Sequence, residues 1–215
     1  MVKYNAEVIK HKLDYRDIGT KAETIAKDQG SDLIDACNDI DVLGGNGTVG
    51  LEILEDLPDV DVIFFPVGEG SIVSPTAAYV KTVNPKIQII GCQPETNRAM
   101  EHLVRTGKYD KLQLQDTISD ATAGGVYENS ICTKLCKSLV DRWVLVSNEA
   151  IARGVLFMII HHRQVIETAS ALPIAAFLSV AEDYKDKKVA LVITGSNIGS
   201  EKIKYILQNY SQHTF

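Results

Sequence analysis

The stretch Asp61-Val-Ile-Phe-Phe-Pro-Val-Gly-Glu-Gly-Ser-Ile72 limits what this chain can fold into more than any other part of it. Val62 to Phe65 is an apolar run of strand length with no polar alternation. Such a strand needs cover on both faces, as in a parallel sheet flanked by helices. Gly68 and Gly70 then bracket a place where the backbone turns sharply or comes close to something, and a helix is expected to start near Ser74. A strand-to-helix turn of this kind aims backbone N–H groups at one point, which is how α/β folds hold a phosphate. A βα turn that needs its glycines for steric reasons alone has the same pattern.

The rest of the chain repeats the alternation. Tyr4 to Ile9 reads as a short strand, Asp17 to Gln29 as a helix stopped by Gly30, and Leu33 to Asp35 as a brief strand. Asp39 to Thr48 is expected to be a glycine-rich loop leading into a helix from Val49 to Leu57. Further helices are expected over Thr76–Val83, Asn97–Thr106, Ile131–Val140, Glu149 to about His162, Ser170–Glu182 and Glu201–Gln208. Strands are expected at Ile87–Cys92, Trp143–Val146 and Lys188–Ile193. Asp116 to Gly125 has no period and reads as loop. Ser147 is placed to cap the helix after it, and Pro173 is tolerable only in a first helical turn. Alternation of this kind means an α/β fold with a doubly wound, mainly parallel sheet.

Charge and cysteine usage narrow the function classes. A formal net charge of −6 argues against a nucleic-acid or anionic-membrane surface. No apolar run approaches a membrane span, and Met1 to Glu7 does not read as a signal peptide, so the cytoplasm is the expected location. Cys37, Cys92, Cys132 and Cys136 form no CxxC pair and read as buried free thiols, with no metal site.

Several segments carry a family resemblance in order: Gly44-Gly-Asn-Gly-Thr48, Pro66-Val-Gly-Glu-Gly-Ser-Ile72, Val83-Asn-Pro85, Gly91-Cys-Gln-Pro94, Ser119-Asp-Ala-Thr-Ala123, Val144-Leu-Val-Ser147 and Thr194-Gly-Ser-Asn197. The pattern resembles the pyridoxal-phosphate enzymes of fold type II, with the tryptophan-synthase-β-like fold. Within them it is most similar to threonine and serine dehydratases (ammonia-lyases) and serine racemases. The resemblance implies pyridoxal phosphate as cofactor and a small amino acid as substrate. The cofactor's phosphate would lie on Gly68, Glu69, Gly70 and Ser71, with Ile72 next. Thr194 would supply the hydroxyl that meets the pyridine nitrogen, and Asn197 would support that turn. Residues 1–40 would be a remnant of the small domain, and 41–215 the large, cofactor-binding domain without its N-terminal part.

The departures from the family pattern matter as much. The S-F-K-x-R-G-A segment with the Schiff-base lysine occurs nowhere in this sequence, nor does the S-x-G-N-H loop that holds the substrate carboxylate. No residue is therefore assigned a catalytic role, and Lys3, Lys10 and Lys12 do not match the lysine position. Glu69 replaces a glycine of the phosphate turn. Turned inward, its carboxylate would face a dianionic phosphate, at a cost of several kcal/mol in a poorly hydrated site. Pro75 and Ala121 replace glycines, and Gln93 stands where related racemases carry a metal-binding acid. Together these departures weigh against cofactor binding by this chain. His161-His162 at a helix end reads as a cap suited to the helix dipole. The leading expectation is an inactive, truncated ammonia-lyase-like chain. The alternatives are one half of a split lyase, or a non-catalytic binding protein that reuses the fold. A homodimer or a partner carrying the missing N-terminal half is expected, because apolar surface would otherwise lie bare.

Overall fold

The computed structural model describes residues 4–10, 15–108, 114–127 and 130–210, and the chain divides into two compact units, 1–34 and 35–215. In the first unit, helix α1 (Tyr15–Gln29) ends at Gly30, whose φ of +62° is the left-handed stop that glycine supplies. Two expected strands are absent. Among the described residues, Tyr4–Ile9 and Leu33–Asp35 have no ladder partner, and Ile34 is largely exposed. A short apolar run becomes a strand only where a neighbouring strand takes up its backbone groups.

The second unit is built on strand β1 (Val62–Pro66), buried at every position. It pairs in parallel with β2 (Gln88–Pro94) on one side and β4 (Val189–Leu191) on the other, and β3 (Arg142–Val146) pairs with β2. The order β3-β2-β1-β4 puts β1 inside the sheet, with the direction of winding reversing between β1 and β4. Alternate β1 side chains enter two separate cores, as the twofold strand period requires. Val62 and Phe64 join α6 (Asn148–Phe157), α7 (Ala171–Val180) and α8 (Ser200–Tyr210). Ile63 and Phe65 join α3 (Val73–Val83), α4 (Ala99–Thr106) and α5 (Ile131–Leu139). Phe64 sits edge-on to Phe177 and Tyr184, with ring centroids 5.7 and 5.3 Å apart. The sheet is therefore doubly wound and parallel, as the sequence predicts.

The expected loop at Asp39–Thr48 is helix. Helix α2 runs from Ile40 to Asp56, and its N-cap Asp39 accepts the Asp41 and Val42 N–H groups. Gly44 and Gly45 face open space, and of the glycines of α2 it is Gly50 that close packing requires. A Cβ on Gly50 would stand 3.1 Å from Thr76 and Val80 of α3, and one on Gly47 would stand 3.5 Å from the Pro75 carbonyl. Pro75 lies in the first turn of α3, where its missing N–H leaves no gap. Ser147 caps α6 as expected, accepting the Ala150 N–H. α6 continues into a π-helical turn, Met158–His162, in which both histidine rings lie against Phe157.

Gly91 has a steric reason of its own. A Cβ there would lie 2.7 Å from the Trp143 ring. Gly91→Ala is expected to overpack the core by roughly 1–3 kcal/mol and to lower Tm by about 2–12 °C. A calorimetric melt unchanged from wild type would contradict that.

Candidate functional site

Three loops meet at the carboxyl ends of β1 and β4, the place where open α/β sheets bind ligands. The first is the turn from Val67 to Ile72. Val67 N–H donates to the Cys92 carbonyl at 3.0 Å, which ends the β1–β2 pairing. Gly70 then takes φ +89°, a conformation that side chains rarely adopt, and α3 starts at Val73. Among the described residues, the N–H groups of Gly68, Gly70, Ser71 and Ile72 find no acceptor. They sit at the amino end of an 11-residue helix, whose dipole adds partial positive charge there.

Two amides outside the turn hold its shape. Asn46 of α2 donates from Nδ2 to the Ser71 carbonyl at 3.0 Å. Gln93, 1% exposed, donates from Nε2 to the Val67 carbonyl at 3.1 Å and accepts the Glu101 N–H at 2.8 Å. Gln93 thus ties the ends of β1 and β2 to the start of α4. Among the described residues, no group of three or more His, Cys, Asp or Glu is arranged to hold a metal ion.

The back of the turn is sulfur-rich. A Cβ on Gly70 would lie 2.8 Å from Cys136 Sγ and 3.6 Å from Cys132 Cβ. Cys132 Sγ donates to the Cys37 carbonyl at 3.0 Å, and the Glu69 carboxylate lies close enough to the Cys37 thiol to raise its pKa. Glu69 therefore turns toward Cys37. The expected clash between its carboxylate and a bound phosphate does not follow from the residue's presence alone. Burial, and after it the Glu69 carboxylate, pushes the Cys37 thiol above the ordinary range. Burial does the same to Cys92, Cys132 and Cys136. All four thiols are free and buried, and they stay protonated near neutral pH. In the native chain they are expected to react with an aromatic disulfide reagent at pH 8 about 100-fold more slowly than in guanidinium. One fast thiol in the native chain would contradict that.

The second loop is Ser119–Thr122, a 3₁₀ turn over Asp120–Thr122. A Cβ on Gly68 would stand 3.3 Å from Thr122 Cα and 3.7 Å from the Ala121 carbonyl, so this loop walls the first turn. Ser119 Oγ and Thr122 Oγ1 are 2.7 Å apart, both buried, and Ala121 is exposed. Asn148 Oδ1 takes the Thr117 hydroxyl at 2.9 Å and the Ile118 N–H at 3.2 Å, anchoring the loop to α6.

The third loop follows β4. Ser170 Oγ accepts the Gly195 N–H at 2.8 Å and lies 3.2 Å from Thr194 Oγ1. The Glu167 carboxylate lies 3.1–3.2 Å from where a Cβ on Gly195 would be. Asn197 is exposed, and its side chain bonds nothing among the described residues. Ser170 holds the turn in its place. Thr168 Oγ1 donates to the Ile118 carbonyl at 2.7 Å, joining the segment that carries Ser170 to the start of the second loop. The residues predicted from sequence, Gly68 to Ile72 and Thr194, thus lie on two turns bridged by Ser119–Thr122. Sequence reasoning missed Asn46 and Ser170 as supports. It read Gln93 only as a lost metal ligand, although a buried glutamine at a strand end signals paired backbone groups.

Comparison with known proteins bears on what these loops are. A family profile described as "Pyridoxal-phosphate dependent enzyme" matches residues 1–195. The chain belongs to the pyridoxal-phosphate dependent enzymes. Within that family it is 37% identical over 183 residues to an L-threonine ammonia-lyase of Thermotoga maritima, covering 85% of this chain and 45% of that protein. It is 33% identical over 205 residues to the catabolic L-threonine dehydratase TdcB of Escherichia coli K12, covering 94% and 62%. The chain thus spans about half the length of the curated relatives it matches. Among solved structures, the processed threonine deaminase isoform 2 of Solanum lycopersicum superposes with a TM-score of 0.80 at 28% identity, covering 88% of this chain and 55% of that one. Maize serine racemase gives 0.84 at 22% identity, covering 99% and 65%, and shares the fold.

Pyridoxal phosphate is the cofactor of this family. The chain's residues fit its two ends. Among the described residues, four N–H donors without acceptors lie together at one helix terminus, on a turn whose Gly68 stands tight against Thr122. A hydroxyl fixed by Ser170 stands on the adjoining turn.

Proposed function

We propose that this chain is a pyridoxal-phosphate-dependent threonine or serine ammonia-lyase-like protein that carries the cofactor-binding side of the site and does not turn over substrate by itself. The supporting observation is the cluster of N–H groups on Gly68, Gly70, Ser71 and Ile72 at the head of α3, walled by Thr122. Pyridoxal phosphate, when bound, supplies the electron sink for loss of an amino acid's α-proton.

The chain's own residues then have these parts. The Gly68–Ile72 turn, Glu69 included, receives the phosphate through backbone N–H groups. The Glu69 carboxylate stays on Cys37, away from the phosphate. Thr194 Oγ1 meets the pyridine nitrogen as a neutral partner, in a position fixed by Ser170. Asn46 and Gln93 hold the turn's carbonyls so that its N–H groups point outward. No lysine of this sequence matches the family's S-F-K pattern, so no residue here is assigned to move the α-proton. Residues 1–40 stand for the small domain and 41–215 for the large one. The free thiols fit a reducing compartment such as the cytoplasm.

A second reading, one half of a split lyase, has its own support. β4 is one of the two outer strands of the sheet among the described residues and is only half buried, while β1 is fully covered. Helices α2, α3 and α5 also leave an apolar cavity of about 410 Å³ lined by Leu43, Leu51, Pro75, Tyr79 and Leu135. An open strand edge and apolar surface favour a partner chain or a second copy. Sedimentation at low micromolar concentration is expected to give species larger than the monomer, together with binding of an apolar dye. A compact, dye-free monomer would remove the support for this second reading and leave the first.

A further inference from the structure

We infer that Lys202 and Asp120 form a positioning clamp that sets the cleft between the Gly68 turn and the Thr194 turn; the inference rests on the cofactor reading above. Lys202 lies in the first turn of α8, the helix that follows the Thr194 turn. Its Nζ reaches back 2.7 Å to Asp120 Oδ2 and donates to the Ile118 carbonyl at 3.0 Å. Both partners belong to the loop that walls the Gly68 turn. Asp120 is the first residue of the 3₁₀ turn whose third residue, Thr122, lies against Gly68, its Cα 3.3 Å from where a Gly68 Cβ would be.

The surroundings make this more than a chance surface pair. The Lys202 side chain is 25% exposed, so its stem is buried along the loop. The Ile118 carbonyl takes a second donor, Thr168 Oγ1, at 2.7 Å. Thr168 and Ser170 belong to the same segment, and Ser170 fixes Gly195 and Thr194. Lys202 and Thr168 therefore close a loop of contacts from the Thr194 turn, through Ile118–Asp120, to Thr122 and Gly68. Burial works to raise the Asp120 carboxyl, and the Lys202 ammonium together with the backbone N–H groups of Asp120 and Ala121 more than offsets it. The Asp120 side chain is 73% exposed, and an ion pair that open to water contributes little to global stability. What the pair adds, beside the Asn148 and Thr168 anchors, is a tie on the exposed Asp120 side of a loop of small and polar residues. Without it, the Ser119–Thr122 wall can move off Gly68, and the N–H cluster loses its fixed aperture.

The test compares binding of pyridoxamine 5′-phosphate with pyridoxamine, both followed by their own fluorescence. Neither carries an aldehyde that could react with lysines. For Lys202→Met, the preference for the phosphorylated ligand is expected to fall at least tenfold, with Tm within about 3 °C of wild type. Lys202→Arg keeps the charge and reach and is expected to restore most of that preference. Asp120→Asn is expected to resemble Lys202→Met, and the double variant to be no worse than either single one. Wild-type preference in Lys202→Met would overturn the clamp, as would a loss that tracks a large fall in Tm and is not rescued by Lys202→Arg. A wild-type chain that does not distinguish the two ligands would overturn the cofactor reading itself, and the clamp with it.

Discussion

Gly70→Ala is expected to lower affinity for pyridoxamine 5′-phosphate by roughly 10²–10⁴-fold. Two effects act at this residue. Its φ of +89° strains any side chain, by about 1–3 kcal/mol. The new Cβ would also lie 2.8 Å from Cys136 Sγ, on a helix already packed against α3 and α4. The turn can relieve both only by rotating its peptides, which swings the N–H groups of Gly70 and Ser71 off their common point. Hydrogen bonds to a charged group are worth about 1.5–3 kcal/mol each, and losing two gives the stated range. Gly91→Ala serves as the control. Its clash with Trp143 is as close, but it lies within β2 and leaves the turn untouched. Equal losses of ligand affinity in the two variants would mean that general destabilisation, not the turn, sets binding.

The isolated chain, supplied with pyridoxal phosphate, is expected to release no 2-oxo acid from L-threonine or L-serine above buffer background. A positioned side chain that moves a proton contributes about 10²–10⁴-fold to rate, and the amine that holds the cofactor supplies covalent catalysis besides. No lysine here follows the pattern that would place such an amine. The measurement is oxo-acid release from protein purified away from host lyases. Turnover that saturates with substrate and scales with this chain's concentration would overturn the proposal of inactivity.

Much of the fold was legible because burial leaves a plain trace in sequence. Val62–Phe65 is apolar without alternation, and β1 is covered on both faces. The cap at Ser147 and the stop at Gly30 were readable for equally local reasons. Residues 39–48 were not legible. Three glycines and Asn46 among them read as loop by local preference, but the capped helix α2 packs on α3, closely enough at Gly50 to require a small residue. Tertiary contact outweighed propensity there. The site divides in the same way. The turn at Gly68 and the hydroxyl of Thr194 each sit within a short recognisable segment. The contacts that orient them, Asn46 to Ser71, Cys37 to Glu69, Ser170 to Gly195 and Lys202 to Asp120, join residues 25 to 82 positions apart, and no local pattern encodes such pairs.

The most direct test of the central claim, that the Gly68–Ile72 turn receives the cofactor's phosphate, is a ³¹P NMR titration of pyridoxamine 5′-phosphate with the isolated chain. The account predicts a saturable one-to-one displacement of the phosphorus resonance, competed by inorganic phosphate and absent with Gly70→Ala. A resonance that keeps its free position up to equimolar protein at millimolar concentration would contradict it.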